Sequence, residues 1–132
     1  MDEPVWISEQ LTLEIHNRAL AEHGGGEGVR DYNLLASALA RPRQLFSYAG
    51  EGVDLCRLAA AYAFGIAKNH PFLDGNKRTA YVVCRTFLLL NGCDIVATQD
   101  EKYLQFLRLA EGSLTEEELA EWFRARLGQG ML

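Results

Sequence analysis

The chain has 132 residues, of which 48% are hydrophobic, and its 18 acidic and 13 basic side chains give a net charge of −5. This length is typical of one domain that buries a core without disulfides or metals, so we expect a single domain over residues 1–132. The acidic balance argues against a general binder of nucleic acids or membrane surfaces. Basic side chains gather locally, at Lys68, Lys77, Arg78 and Arg85, which suits one phosphorylated ligand.

The three cysteines, Cys56, Cys84 and Cys93, lack the spacing of metal ligands, so neither a disulfide framework nor a zinc site is predicted. The N-terminus has no basic stretch followed by an apolar one, as a secretory signal would. No apolar run approaches the roughly 20 residues of a membrane helix. We therefore expect a cytoplasmic protein with reduced cysteines.

The first predicted helix is capped by Ser8 and ends at a glycine-rich run, residues 24–28. This run lacks the Lys-Ser/Thr of a Walker A phosphate loop and follows no strand, so we interpret it as a flexible connection. His16 and His23 lie on or just after the helix without a partner at ligand spacing. Surface positions are therefore expected for both histidines.

A second helix can begin after Asp31, and Pro42 is expected to end it because proline disrupts a helix interior. The segment 42–53 that follows is rich in aromatic and basic residues and is interpreted as a loop. Its aromatic side chains either pack onto the core or belong to a flap that positions a target. The sequence leaves both interpretations open.

Asp54 can cap a third helix that runs to about Asn69, with apolar residues at periods of three and four. A fourth helix, covering residues 79–90, is apolar nearly all round, which predicts a central, buried position. Asn91 and Gly92 are typical of its C-terminal end.

A short β-leaning stretch at residues 94–97 precedes two more helices. Thr98 and Thr115 each stand three residues before a glutamate, which is the spacing of a capping box. The glutamates at 116–118 are then explained by the favourable helix dipole in a first turn. The predicted architecture is all-α, a single-domain bundle of about six helices.

One stretch between the third and fourth helices concentrates more chemically distinct groups than any other part of the chain. It reads His70-Pro71-Phe72-Leu73-Asp74-Gly75-Asn76-Lys77-Arg78. Pro71 disfavours helical dihedral angles at His70, and Gly75 permits a tight loop before a helix that starts near Asn76. The unpaired backbone N–H groups and positive dipole at that helix start suit a bound anion.

Each side chain of this motif has a chemical use. Histidine has an ordinary pKa of about 6.5, so His70 is a candidate general base for a hydroxyl group. Asp74 offers the hard oxygen ligand that Mg²⁺ prefers. Arg78 can form a fork with phosphate oxygens and Lys77 is a point charge. Asn76 can donate its amide to a phosphate or cap the helix.

Taken singly, these residues also have structural explanations. Asp74 or Asn76 can be an N-cap, a histidine before proline is often structural, and Phe72 is expected in the core. Their coincidence in one loop favours an active site. The sequence shows no Ser-His-Asp or nucleophile-elbow pattern, no His-Glu-x-x-His and no kinase glycine-rich loop.

The motif resembles that of the Fic/Doc superfamily, and Lys77-Arg78 after Asn76 resembles its death-on-curing (Doc) toxin branch. The resemblance extends to residues 30–42 and 59–62, so it covers most of the chain. It implies a Fic/Doc-type helical bundle. It also implies roles for individual residues: a base at His70, a loop anchor at Phe72, a Mg²⁺ ligand at Asp74, and nucleotide-phosphate contacts at Gly75, Asn76 and Arg78.

Typical members of the superfamily transfer AMP from ATP to a protein hydroxyl. In the Doc branch a lysine at the position of Lys77 accompanies a reversed nucleotide, so that the γ-phosphate is transferred instead. The resemblance thus implies a toxin that uses ATP and Mg²⁺ to phosphorylate elongation factor Tu and halt translation. Lys77 and Arg78 then contribute to catalysis as well as to nucleotide binding.

The implied partner is a Phd-type antitoxin, with no direct nucleic-acid or membrane partner. Residues 113–117 have the spacing of a self-inhibitory signature found in other branches, but Glu118 follows them, which favours inhibition in trans. An AMP transferase is the alternative enzyme. A catalytically idle module that binds antitoxin or nucleotide is the third hypothesis, and the intact His70, Asp74 and Arg78 argue against it.

Overall fold

The computed structural model describes residues 2–129 apart from the side chains of Glu51 and Gln129, and over this range the chain forms six α-helices and one small sheet. The helices are α1 (Glu9–His23), α2 (Tyr32–Ala49), α3 (Leu55–Asn69), α4 (Asn76–Leu90), α5 (Gln99–Glu111) and α6 (Glu116–Ala125). The strands are β1 (Cys93–Ile95) and β2 (Leu127–Gln129), which pair antiparallel. The all-α prediction is confirmed.

Local capping signals fix where most of these helices begin. The predicted caps of α1, α2, α3, α5 and α6 each accept a hydrogen bond from a first-turn backbone N–H, and the last two form full capping boxes. They are Ser8, Asp31, Asp54, Thr98 and Thr115. Such a cap stabilises a helix by about 1 kcal/mol. The helix α4 begins differently, at Gly75, which has no side chain to cap it.

The expected end of α2 at Pro42 is wrong, because the helix continues through this buried proline to Ala49. Proline removes one backbone hydrogen bond. The packing of later residues offsets that loss, since Leu45 and Phe46 pack against the core. The rings of Phe46 and Trp6 meet edge to face, with centroids 5.7 Å apart. The predicted loop or flap at 42–53 is therefore mostly helix.

The core is built around α3, which packs against α2, α4 and α6. Small side chains let the helices approach closely. A Cβ atom on Gly65 would lie 3.1 Å from the Cα and carbonyl oxygen of Ala38 in α2, so glycine permits this crossing. The helix α4 buries one face, including Val83 and Phe87, while Tyr81 on its other face stays partly exposed. The central position predicted for α4 is thus shared with α3.

The chain after α4 returns to close the fold. Asn91 ends α4, and its side chain also hydrogen-bonds the backbone N–H and carbonyl of Val5. The three cysteines are free thiols. Within residues 2–129, none of the helices combines the length and the hydropathy that crossing a bilayer requires.

An ion-pair cluster joins α2, α3 and α6. The first-turn carboxylate of Glu116 is only 4% exposed, and its Oε2 lies 3.1 Å from Nε of Arg41 and 3.0 Å from Nη1 of Arg57. The Arg57 contact lacks hydrogen-bond geometry, so it is mainly electrostatic. Burial raises the pKa of Glu116, but the two guanidinium groups outweigh it and leave the pKa below its ordinary value. Glu116 therefore does more than favour the helix dipole.

We predict that Glu116→Gln lowers the free energy of unfolding at pH 7 by about 3 kcal/mol, the low end for a broken buried ion pair, because Arg41 is half-exposed. A carboxyl whose pKa is lowered on folding stabilises the protein above its unfolded pKa, here near 4.5, and loses this effect as the pH falls further. The variant should therefore lose less stability than wild type on acidification. Urea unfolding at pH 7 and pH 4 measures both effects.

The control is Glu117→Gln, which changes a carboxylate that is 70% exposed and contacts Arg57 at the surface. This variant should cost at most about 1 kcal/mol. Equal losses in the two variants would show that the buried position of Glu116 has no special energetic weight.

Candidate active site

The motif loop, residues 70–75, begins with an unusual backbone conformation. His70 ends α3 at φ 52° and ψ 54°, and among residues 2–129 it is the only non-glycine residue with a positive φ. This left-handed conformation costs a non-glycine residue about 1–2 kcal/mol, so the surrounding contacts must hold it. The exposed imidazole is thereby directed by a constrained backbone.

The buried side chain of Asn76 holds the motif loop closed. Its Oδ1 accepts a hydrogen bond from the backbone N–H of Phe72 at 3.0 Å, and its Nδ2 donates to the Phe72 carbonyl at 2.9 Å. These two bonds fix the amide orientation, so Nδ2 also donates to Nδ1 of His70 at 3.0 Å. The neutral imidazole consequently carries its proton on Nε2 and its lone pair on Nδ1.

The prediction of a surface position for His16 is wrong. This residue is 2% exposed, stacks on Phe72 with ring centroids 3.8 Å apart, and donates from Nε2 to the Asp74 carbonyl at 2.8 Å. His16 shares the buried face of α1 with Thr12 and Ala19, and because only Ala19 of the three is apolar, the sequence did not mark His16 as buried. His23 is half-exposed, as expected.

The glycine-rich run is more than a flexible connection, because it packs against the motif loop. The carbonyl of Gly28 accepts a hydrogen bond from the backbone N–H of Leu73 at 3.2 Å. The backbone N–H of Gly26 lies 3.4 Å from Oδ2 of Asp74. Gly25 has φ +125°, and a Cβ atom there would stand 2.8 Å from the same oxygen. Glycines thus let this run lie directly beside the Asp74 carboxylate.

The N-terminus of α4 has no side-chain cap, which is compatible with the predicted anion site. Gly75, at φ 77°, provides no side-chain acceptor for the first N–H groups of the helix. Lys77 and Arg78 are exposed, and within residues 2–129 neither side chain takes part in an ion pair. Unpaired N–H groups, the helix dipole and two available cations therefore coincide at one point.

A cleft of about 920 Å³ runs between α1, α4, α5 and the motif loop. The predicted site residues all line it: His70, Asp74, Gly75, Asn76, Lys77 and Arg78. Arg18, Lys102 and Tyr103, which the sequence did not single out, line it too. Of the basic residues grouped from sequence, Lys68 and Arg85 lie outside the cleft lining, and Arg85 pairs with Asp94 at 3.1 Å.

A family model described as the Fic/DOC family matches residues 6–88, more than half of the chain. The chain belongs to the Fic/DOC family. It is 43% identical over 77 residues to Toxin Doc of Mycolicibacterium smegmatis, covering 58% of this chain but only 59% of that relative. It is 27% identical over 122 residues to Protein kinase doc of Escherichia phage P1, covering 92% and 95% of the two chains. The resemblance drawn from the motif is thus confirmed.

One carboxylate of this site has the exposure and the orientation that suit a hard metal ion. Asp74 presents an exposed carboxylate to the cleft, and its Oδ1 is oriented by the backbone N–H of Gly75 at 2.8 Å. In the described part of the chain, no three His, Cys, Asp or Glu side chains form a metal cluster. Mg²⁺ suits this arrangement, because it commonly binds one or two carboxylates together with phosphate oxygens and water.

We predict that His16→Leu lowers the free energy of unfolding by about 1–3 kcal/mol, because the Asp74 carbonyl loses its donor and the stack on Phe72 is lost. Urea unfolding measures the change. His23→Leu is the matched control, since that histidine is half-exposed and supports no part of the motif loop. A His16 variant as stable as the control would show that the ring does not support this loop.

Proposed function

We propose that this chain is the toxin of a toxin–antitoxin pair and a protein phosphotransferase. It would move the γ-phosphate of ATP to a serine or threonine hydroxyl of a translation factor, with elongation factor Tu as the expected target. The observation that carries this proposal is the uncapped start of α4, with Lys77 and Arg78 available, on the same cleft as His70. The names Toxin Doc and Protein kinase doc of two relatives support it.

The start of α4 would bind the phosphates. Backbone N–H groups after Gly75 point along the helix axis and meet an anion without any side-chain competitor. The guanidinium of Arg78 can bind two phosphate oxygens at once, whereas Lys77 adds a single charge. Asn76 would contribute through its backbone N–H, because both amide hydrogens of its side chain are already used within the motif loop.

His70 would act as the general base. Its lone pair is on Nδ1, so that atom would take the proton of the target hydroxyl in exchange for the hydrogen bond from Asn76. The hydroxyl oxygen then bonds to the γ-phosphorus as the bond from that phosphorus to the bridging oxygen breaks, and ADP leaves. The phosphate binding site holds the transferred group in line with the attacking oxygen.

Asp74 is the residue that would hold Mg²⁺. When bound, Mg²⁺ would neutralise phosphate charge and orient the transferred group. The chain itself keeps the carboxylate in place, through the N–H of Gly75 on one oxygen and the close approach of Gly25 and Gly26 on the other. A carboxylate fixed in this way loses little freedom when it binds a cation.

We propose a Phd-type antitoxin as the partner that inhibits the enzyme in trans, in the cytoplasm. The segment with the spacing of a self-inhibitory signature, residues 113–117, begins after α5 and ends in the first turn of α6, and none of its residues lines the cleft. Leu73 and Tyr103 expose apolar surface beside the site, 60% and 64% respectively, and another protein can cover it.

The proposal is tested by the intact mass of elongation factor Tu after incubation with this protein, ATP and Mg²⁺. We expect the mass of one phosphate to be added. Addition of an AMP group would favour the alternative, an AMP transferase, because the same anion site can bind a differently placed nucleotide. No change with a folded protein would favour an idle binding module, or a different target.

We predict that His70→Ala abolishes phosphate transfer and growth inhibition, because a general base contributes about 10²–10⁴-fold to the rate. The fold should survive, since the imidazole is exposed. Quantitative mass spectrometry of the target measures the rate, and circular dichroism checks the fold. Lys68→Ala is the control, because Lys68 is exposed, just before the motif, and outside the cleft lining. Full toxicity of a folded His70→Ala variant would contradict the role of base.

Lys77 is expected to decide which phosphate is presented to His70. A glycine at this position would leave first-turn N–H groups open to a second phosphate, whereas lysine fills that space and adds a charge. We predict that Lys77→Gly loses phosphate transfer at least about tenfold, the effect of removing one hydrogen bond from a charged group. The masses of the modified target also report any transfer of AMP instead. Lys77→Met separates the two effects, because it keeps the length of the side chain without the charge.

Undiminished phosphorylation by Lys77→Gly would show that this residue does not set the nucleotide orientation. Transfer of AMP by the wild-type protein would show the same.

A further inference from the structure

We propose that Arg30 is a positioning residue that holds the backbone of His70 in its left-handed conformation. The proposal rests on the role of His70 as the base. Arg30 lies just before α2, on the surface, and it does not line the cleft. It therefore acts on the reaction through His70 and not by contact with substrate.

The guanidinium of Arg30 forms a fork on the last carbonyls of α3. Its Nε donates to the His70 carbonyl at 2.8 Å and its Nη2 donates to the Asn69 carbonyl at 2.9 Å. Carbonyls at a helix C-terminus lack intrahelical partners, and a cation there is also favoured by the helix dipole. Both bonds depend on the left-handed turn, because that turn brings two successive carbonyls within reach of one planar group.

The backbone around Arg30 also holds the residues that follow His70. The N–H groups of Arg30 and Asp31 donate to the Pro71 carbonyl at 2.7 and 3.2 Å, and Val29 pairs with Phe72 in an isolated antiparallel bridge. Residues 29–31 therefore run alongside residues 70–72. Because Asp31 also caps α2, this contact joins the start of that helix to the base.

Arg30 and Asn76 support different parts of His70. Arg30 donates a hydrogen bond to the backbone carbonyl of His70, while Asn76 donates one to the ring nitrogen Nδ1. Without the fork, the two carbonyls are free to turn toward water, and His70 is free to relax to an ordinary negative φ. Such a change swings the Cα–Cβ bond, so the imidazole leaves its place beside Asn76 and the phosphate site. A displacement of about 1 Å in a catalytic group can cost about 10²-fold in rate.

An arginine at a helix end can instead contribute only to global stability, and the experiment must separate the two roles. Three variants are compared: Arg30→Ala, Arg30→Lys and Arg108→Ala. The last is the matched control, because Arg108 also donates to a backbone carbonyl past a helix C-terminus, that of Ser113 after α5. Arg30→Lys keeps the charge and removes the planar fork.

The first readout is independent of activity. The three-bond coupling between the amide and α protons of His70, measured by NMR on the free protein together with the NOE between the same two protons, reports its φ. Both are needed, because the coupling takes similar values at some positive and some negative φ angles, whereas only a positive φ brings the two protons close enough for a strong NOE. We expect the left-handed value in wild type and Arg108→Ala, its loss in Arg30→Ala, and a partial loss in Arg30→Lys. A left-handed His70 in folded Arg30→Ala would overturn the proposal, whether or not the protein phosphorylates elongation factor Tu.

The second readout is the phosphate transfer rate, measured below the unfolding temperature of every variant. We expect kcat of Arg30→Ala to fall on the order of tenfold to a hundredfold with KM for ATP unchanged, because the phosphate-binding groups of α4 do not contact Arg30. Arg30→Lys should lie between Arg30→Ala and wild type. A kcat for Arg30→Ala equal to that of Arg108→Ala would overturn the positioning role. If wild type transfers no phosphate, the proposed function fails, and the coupling measurement alone decides the role of Arg30.

Discussion

The arrangement of the site depends on one buried amide. The side chain of Asn76 bonds both the N–H and the carbonyl of Phe72, which closes the motif loop into a compact turn. A buried amide with these partners tolerates only one orientation. In the reverse orientation, the amide nitrogen would face the N–H of Phe72, donor against donor, and the amide oxygen would face the Phe72 carbonyl, acceptor against acceptor. That orientation fixes the proton of His70 and leaves the start of α4 without a competing cap. The proposed base and the proposed anion site thus depend on the same side chain.

Two segments that are distant in sequence also hold the motif loop in place. The ring of His16 lies beneath Phe72, and the glycine-rich run lies beside Asp74. These contacts allow an exposed site to be rigid, since the functional side chains face solvent while their backbone is held from below. Polar groups of the site therefore lose little freedom on binding, which is the main advantage of a preorganised site.

Most helix starts were predictable because a capping side chain and the backbone N–H that donates to it lie within three residues of each other. The motif could be recognised from its own residues. The predicted end of α2 at Pro42 was wrong because the helix beyond it is stabilised by apolar packing against the core. Local helix propensity carries no information about that packing. The burial of His16 depends on a partner 58 residues away. The fork of hydrogen bonds from Arg30 likewise joins segments about 40 residues apart, and the residues around Arg30 in the sequence do not predict it.

The missing cap of α4 has a thermodynamic consequence. An anion bound at the proposed site would have no comparable site in the unfolded chain, so its binding free energy would add to the stability of the fold. A ligand at a hundred times its Kd adds about 2.7 kcal/mol. This is a large part of the roughly 5–15 kcal/mol by which domains are stable. If the proposed site binds phosphate-bearing ligands, their concentration would shift the folding equilibrium of this chain, because α4 is the one α-helix within residues 2–129 that has no side-chain cap of its own.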